Sequence, residues 1–547
     1  MLSYVSLPGL AVGAVCFALS LTPSLIPRTF LIQGVLSGCV FAVGYAVGAV
    51  FEWLWYFMQL PPPRGWLRNW LTAIVAIACV VLVIYCLSQA AEWQNSVRVA
   101  MGAEPVETGH PVKVLLVAIL PAVLLITIGT LIERGIEAVA RRLQRIVPPR
   151  LALVGSIVLV GLFAGTLFSG LLLRGTLRAA DAFFEQLDDV ASRFVEPAPT
   201  RPDQSGSAQS LIAWSTIGRD GRNYVQTGPD KATIENRIDR PAMDPIRVSV
   251  GMRSAPTVMA RAELGLAELK RVGAFDRSIL LVISPVGTGW VDPAGMDALE
   301  YLMAGDVASV SLQYSYLLSP LSLLVEPDYG SESAKALFDV VYKYWTTLPN
   351  NRRPRLYLNG LSLGAHASQD STQILNVLGD PYQGALWAGP PFTSPIWNWA
   401  TATRNPGSPE WRPTVGDGQT IRFTNQGNGL AEPVGMPWGP IRIAFLQYAS
   451  DPIIFFDFAS FYREPDWMKG ERGPDVSKAL TWYPIVTFFQ LGMDMALSLT
   501  SPLGHGHVYA PADYIDAWMA LVEPPGWSAE QLQQLRREMT DEFEAQR

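Results

Sequence analysis

Residues 355–368 (RLYLNGLSLGAHAS) contain Gly360-Leu361-Ser362-Leu363-Gly364, a G-x-S-x-G pattern. Leu356, Tyr357 and Leu358 lead into it as a short strand, and the small residues Ala365, Ala367 and Ser368 lead out as a helix. Such a turn exposes the serine Oγ, and flanking glycines let strand and helix pass closely. A hydroxyl attacks only when a base takes its proton, and the base needs an acid to orient it. The histidines are His110, His366, His505 and His507. Where serine, acid and base follow one another along the chain, only His505 and His507 qualify. Both sit in the glycine-loosened run 502–509 (PLGHGHVY), ahead of a helix expected over about 512–521. Spacing does not separate them; His507 is favoured because Val508 and Tyr509 lead from it into packing residues. Asp451 follows an apolar strand and precedes Pro452, where a triad carboxylate emerges; a helix-capping aspartate is the competing reading. Asp457 and Asp494 are the substitutes.

An acyl transfer also needs donors for the developing oxyanion. The Leu363 N–H follows the nucleophile directly. The glycine-rich stretch 284–290 (SPVGTGW), after an expected strand at 278–283, offers Gly287, Thr288 and Gly289. It lacks the Gly-Lys-Ser/Thr of a phosphate loop. His505-x-His507 has no nearby carboxylate cluster to complete a metal site, so neither metal nor cofactor is expected.

These residues need a scaffold, and the pattern from 211 onward supplies one. Short apolar runs at 246–250, 278–283, 307–313, 355–359, 384–388, 420–424 and 441–447 alternate with helical patterns at 256–272, 331–347 and 362–378. The alternation predicts a mostly parallel sheet with helices on both faces. Residues 390–418, with Trp397, Trp399 and Trp411, offer a lid. Phe455, Phe456, Phe458, Phe461, Phe488 and Phe489 offer an acyl groove, although ordinary core packing explains them as well.

The first third is different. The whole chain of 547 residues is 49% hydrophobic and 16% charged, with net charge −7. That excludes a disordered chain and a nucleic-acid partner. Apolar runs at roughly 7–26, 31–57, 70–91, 112–132 and 151–173 predict a transmembrane bundle of about five helices. The first run has no Lys or Arg before it, unlike a cleaved signal. Arg64 and Arg68 in one loop, and Arg134, Arg141, Arg142, Arg145 and Arg150 around another, put those loops and the N-terminus in the cytoplasm. Five crossings then leave the C-terminal domain outside. An amphipathic helix is expected at 177–194 and a Pro/Ser/Gly-rich linker at 196–210, giving divisions at 1–175, 176–210 and 211–547. All four cysteines precede residue 90, so a disulfide framework is excluded beyond it.

Several motifs together resemble bacterial membrane-bound α/β-hydrolases: 22–28 (TPSLIPR), 218–222 (GRDGR), 287–290 (GTGW), 313–316 (QYSY), 360–364 and 504–509. Leu361 and Val286 depart from that pattern without touching the triad. The resemblance implies an α/β-hydrolase fold and a serine hydrolase held in a bacterial plasma membrane. From its placement we expect carboxyl-ester hydrolysis or acyl transfer on lipid-linked or envelope esters. The alternatives are a peptidase on the same triad and a membrane scaffold with a vestigial hydrolase domain.

Overall fold

The computed structural model describes residues 6–61, 65–166, 197–316, 327–372, 377, 379–430 and 436–547. The helix expected at 177–194 lies outside them. The chain divides into two compact units: 1–175 with 456–502, and 176–455 with 503–547. The sequence pattern runs the C-terminal domain straight through 456–502, whereas its contacts group that segment with the N-terminal helices.

In the helical unit, α1 (Leu7–Ser20), α2 (Phe30–Phe57), α3 (Trp66–Ala100), α4 (Pro111–Leu143) and α5 (Pro149–Thr166) follow one another. Four of them, α2 to α5, are long and apolar enough to cross a membrane. With 14 residues, α1 rises about 21 Å, short of the roughly 30 Å hydrocarbon layer. The expected first span therefore stops at Ser20. Pro23 and Pro27 cannot extend the helix, and residues 21–29 form a buried loop in which Leu21, Leu25 and Ile26 are almost fully covered. Asp494, in the helix Val486–Ala496, accepts from Ser24 Oγ at 3.0 Å and from the Leu25 N–H at 2.9 Å. Gln490 Nε2 donates to the Thr22 carbonyl at 3.0 Å. Against α1, α2 packs bare backbone on backbone: a Cβ on Gly44 would lie 3.0 Å from Gly13 Cα.

The other unit is built on seven parallel strands: β1 (Ile246–Val250), β2 (Ile279–Ser284), β3 (Val307–Leu312), β4 (Arg355–Leu361), β5 (Gly384–Ala388), β6 (Ile421–Thr424) and β7 (Arg442–Leu446). Their spatial order is β1-β3-β2-β4-β5-β7-β6. Every residue of β1, β2, β3 and β5 is buried, as in a parallel sheet covered on both faces. Ile279, Leu281 and Ile283 share one core with the helices Pro293–Leu302 and Pro511–Val522. On the opposite face Val310, paired with Val282, meets Gly265 of the helix Val258–Arg271. All seven expected strands form, with ends shifted by one or two residues.

Residues 197–210 are held rather than loose. Glu268 accepts from Ser210 Oγ at 2.6 Å and from the Leu211 N–H at 3.0 Å. Arg201 pairs with Asp203 and Asp244.

Candidate active site

The carboxyl ends of β4, β5 and β7 carry the candidate residues, as ligand sites in open parallel sheets do. β4 ends at Leu361, and Ser362 follows at φ 55°, ψ −125° before the helix Leu363–Ser371. A non-glycine residue in that region costs about 1–3 kcal/mol. Local bonding enforces it: the Ser362 N–H donates to the Ala388 carbonyl at 3.0 Å, and its own carbonyl accepts from the His366 N–H at 3.1 Å. The glycines of the motif are required for contact. A Cβ on Gly364 would lie 2.0 Å from the Ser284 carbonyl oxygen, and one on Gly360 would lie 2.4 Å from Gly364 C. Strand, turn and helix interlock around a serine that is 8% exposed.

After β7 the chain reaches Asp451, which is fully buried. Its two oxygens have separate partners. Oδ1 accepts the Ile453 N–H at 2.9 Å and so caps the short helix Pro452–Phe455. Oδ2 lies 2.7 Å from His507 Nδ1 and also accepts the Tyr509 hydroxyl at 2.7 Å. His507 Nε2 is buried and has no hydrogen-bond partner among the described residues. Of the two histidines that spacing leaves open, only His507 is joined to Asp451 by a described bond; His505 belongs to a tight turn in which the Val508 N–H donates to its carbonyl at 3.1 Å. The turn is anchored by the Gly506 N–H, which donates to Ser450 Oγ at 2.8 Å.

Gly389 links the base to the serine. It has φ +51°, and a Cβ there would lie 2.6 Å from His507 Cε1. Ala388, the residue before it, accepts the Ser362 N–H. Serine turn and histidine ring thus converge on one dipeptide at the end of β5. The substitute acids are committed elsewhere: Asp494 to Ser24 and Leu25, and Asp457 Oδ1 to the Ala459 N–H at 2.8 Å. His366 rides on the helix after the serine, and His110 stacks edge-on with Phe30.

The loop after β2 abuts the serine turn, through Ser284 against Gly364. Its Gly289 N–H is spent on the Val286 carbonyl at 2.8 Å. Among the described residues the N–H groups of Gly287 and Thr288 have no such partner, nor does that of Leu363 at the start of its helix. Thr288 Oγ1 donates to Asp220 Oδ2 at 2.6 Å, so the GRDGR run moors this loop. The Ser315 N–H donates to the Gly287 carbonyl at 2.9 Å, which gives the QYSY run the same role.

Three tyrosines that sequence reasoning did not single out back the site. Tyr509 and Tyr448 stack at 4.5 Å between ring centroids, and Tyr514 adjoins Tyr509. Each gives its hydroxyl to a carboxylate: Tyr509 to Asp451, Tyr448 to Asp513, and Tyr514 to Asp292 at 2.9 Å. Burial, then the adjacent carboxylate, pushes all three phenols well above their usual range, so they remain donors. Burial likewise pushes the carboxyls of Asp292 and Asp513 up to about 6. The only sequence signal for this network was its aromatic-acid density, which also reads as plain core.

Of the expected lid, Trp397 and Trp411 are buried, and Trp397 Nε1 donates to Gln447 Oε1 at 2.7 Å. Trp399 is exposed. That stretch is pinned to β7 at two of its three tryptophans.

Residues 246–535 match the family described as "Alpha/beta-hydrolase family", and residues 21–229 match "Alpha/beta-hydrolase family N-terminus". No curated protein and no solved structure matches the chain.

Proposed function

Because the chain belongs to the α/β-hydrolase family, we propose that it is a membrane-anchored serine hydrolase working through an acyl-enzyme on carboxyl esters. The observation that carries this reading is the buried His507–Asp451 pair, whose unbonded Nε2 converges with the strained Ser362 turn on Ala388–Gly389. Ser362 Oγ attacks the ester carbonyl as His507 Nε2 takes its proton. Asp451 holds the Nδ1–H tautomer and stabilises the imidazolium, and Tyr509 fixes the Asp451 carboxylate. The Leu363 N–H and the loop N–H groups of Gly287 and Thr288 receive the oxyanion. His507 returns the proton to the departing alkoxide. Water or an acceptor hydroxyl, deprotonated by the same nitrogen, then releases the acyl group.

Lipid-linked or envelope esters are the proposed substrates, because the enzyme is carried by apolar helices. We place the hydrolase domain outside the cytoplasm of a bacterial plasma membrane. The Arg-rich stretches lie at the α2–α3 and α4–α5 turns, which the positive-inside rule keeps cytoplasmic. The opposite ends, including the exit of α5, then face outward whether or not the short α1 crosses. Only the side of the N-terminus depends on α1.

Labelling by a fluorophosphonate probe tests the nucleophile. The wild type should react and Ser362→Ala should not; equal labelling of both sinks the assignment. A panel of esters against peptides separates an esterase from a peptidase.

A further inference from the structure

The segment 456–502 belongs to the helical unit, and its contacts say how it is held. Val486 is buried in a cluster with Cys16, Leu36 and Val40 of α1 and α2, with Tyr483, Phe489 and Met493 packed against it. Asp494 and Gln490 bind the 21–29 loop, so the segment is fixed at the end of the bundle where α1 finishes and α2 begins. Ser477 Oγ, 2.7 Å from Ser96 Oγ near the end of α3, marks the same end.

The other side of this segment is open and apolar. Phe458 is 66% exposed, Tyr462 72%, Leu499 67% and Phe461 38%. Large exposed aromatics gathered in one short stretch are a surface awaiting a partner. They are not isolated from the helices. Phe458 and Phe461 contact Phe488 at 6.5 and 5.7 Å between centroids, and Phe488 contacts Phe489 at 5.3 Å. Phe489 in turn packs on the α1–α2 cluster. An unbroken apolar path therefore joins the open aromatics to helices whose outer residues, such as Val15, Leu31 and Val35, are exposed too. Around the aromatics stand exposed cations, Arg463 and Lys469.

We propose that segment 456–502 seats in the lipid bilayer, with Phe458, Phe461 and Tyr462 at the level where acyl chains meet headgroups. Continuity with membrane-crossing helices selects lipid as the occupant, because lipid is the apolar phase already surrounding those helices. Aromatic rings flanked by Arg and Lys are the side chains that favour that depth. The segment is thus a second membrane contact, distinct from the crossing helices and drawn from the hydrolase part of the sequence.

The test is site-directed fluorescence on the full chain in lipid nanodiscs holding one copy each. Phe458→Cys, Tyr462→Cys and, as control, the exposed Glu530→Cys are labelled with an environment-sensitive dye, in a background with the four native cysteines changed to alanine. Expected is at least about twofold quenching at 458 and 462 by nitroxide-bearing lipid, with little effect of aqueous iodide, and the reverse at 530. Iodide quenching at 458 and 462 equal to that at 530 overturns the proposal, because the face is then in water. Shielding from both quenchers also overturns it, because the chain itself then covers the face. The readout needs no activity, so it stands or falls apart from the catalytic assignment.

Discussion

Asp451 performs two tasks that compete on paper: capping a helix and orienting a base. Its Oδ1 holds the Ile453 N–H while Oδ2 serves His507 and Tyr509, so the competing readings of the sequence are both true of one side chain. Tyr509 was illegible because an aromatic two residues past a histidine looks like packing. His505 and His507 were inseparable because each follows a glycine, and only the hydrogen-bond register distinguishes them. Tyr509→Phe removes one donor from Oδ2. The carboxylate becomes more basic and stabilises the His507 imidazolium further, so the acid limb of the kcat/KM–pH profile should move to higher pH. Loss of a hydrogen bond to a charged group should also lower kcat about tenfold or more. An unmoved limb would show that Tyr509 is only packing. At Gly389 the demand is steric: in Gly389→Ala the new Cβ meets His507 Cε1 at 2.6 Å, and the ring must shift. Displacement of about an ångström costs roughly a hundredfold in rate, which steady-state ester hydrolysis on a variant with native circular dichroism would reveal.

At the scale of elements, the strands were legible because buried parallel strands read as short apolar runs punctuated by glycine and proline. The first membrane run was over-extended because hydropathy does not register that Pro23 and Pro27 break a helix while leaving the loop buried. The attachment of Val486–Ala496 to α1 and α2 was invisible because it is tertiary: Asp494 reads as an acid, not as the partner of residues 470 positions earlier. The helix Pro511–Val522 behind the site carries its own test. Asp513 ionises near 3.8 in an unfolded chain and near 6 here, through burial. Between those values the native state keeps a proton that the unfolded state has lost, so stability falls as pH rises through this window and stays lower above it. Asp513→Asn keeps an acceptor for Tyr448 and removes the buried charge. It should raise stability by about 1–3 kcal/mol above pH 6 and leave it unchanged below pH 4. Thermal unfolding of the detergent-solubilised protein at the two pH values would measure this; an equal effect at both excludes the charge as the cause.

For the whole molecule, the orientation we propose rests on the cytoplasmic Arg-rich turns. A reporter fused after Arg547 that fluoresces only in the cytoplasm should stay dark, and one active only outside should work; the opposite pattern inverts the topology. The division into two units was half legible: composition separates helices from sheet, yet the return of 456–502 to the helical unit leaves no compositional mark. That return also decides what excision can achieve. The acid precedes the segment by five positions and the base follows it by five, so the piece grouped with the helices lies between the two halves of one proton relay. Cutting the chain near residue 197 therefore does not liberate a water-soluble catalyst. The fragment would carry 456–502 stripped of α1 and α2, with Val486 and Phe489 uncovered, and trimming that segment away would sever Asp451 from His507.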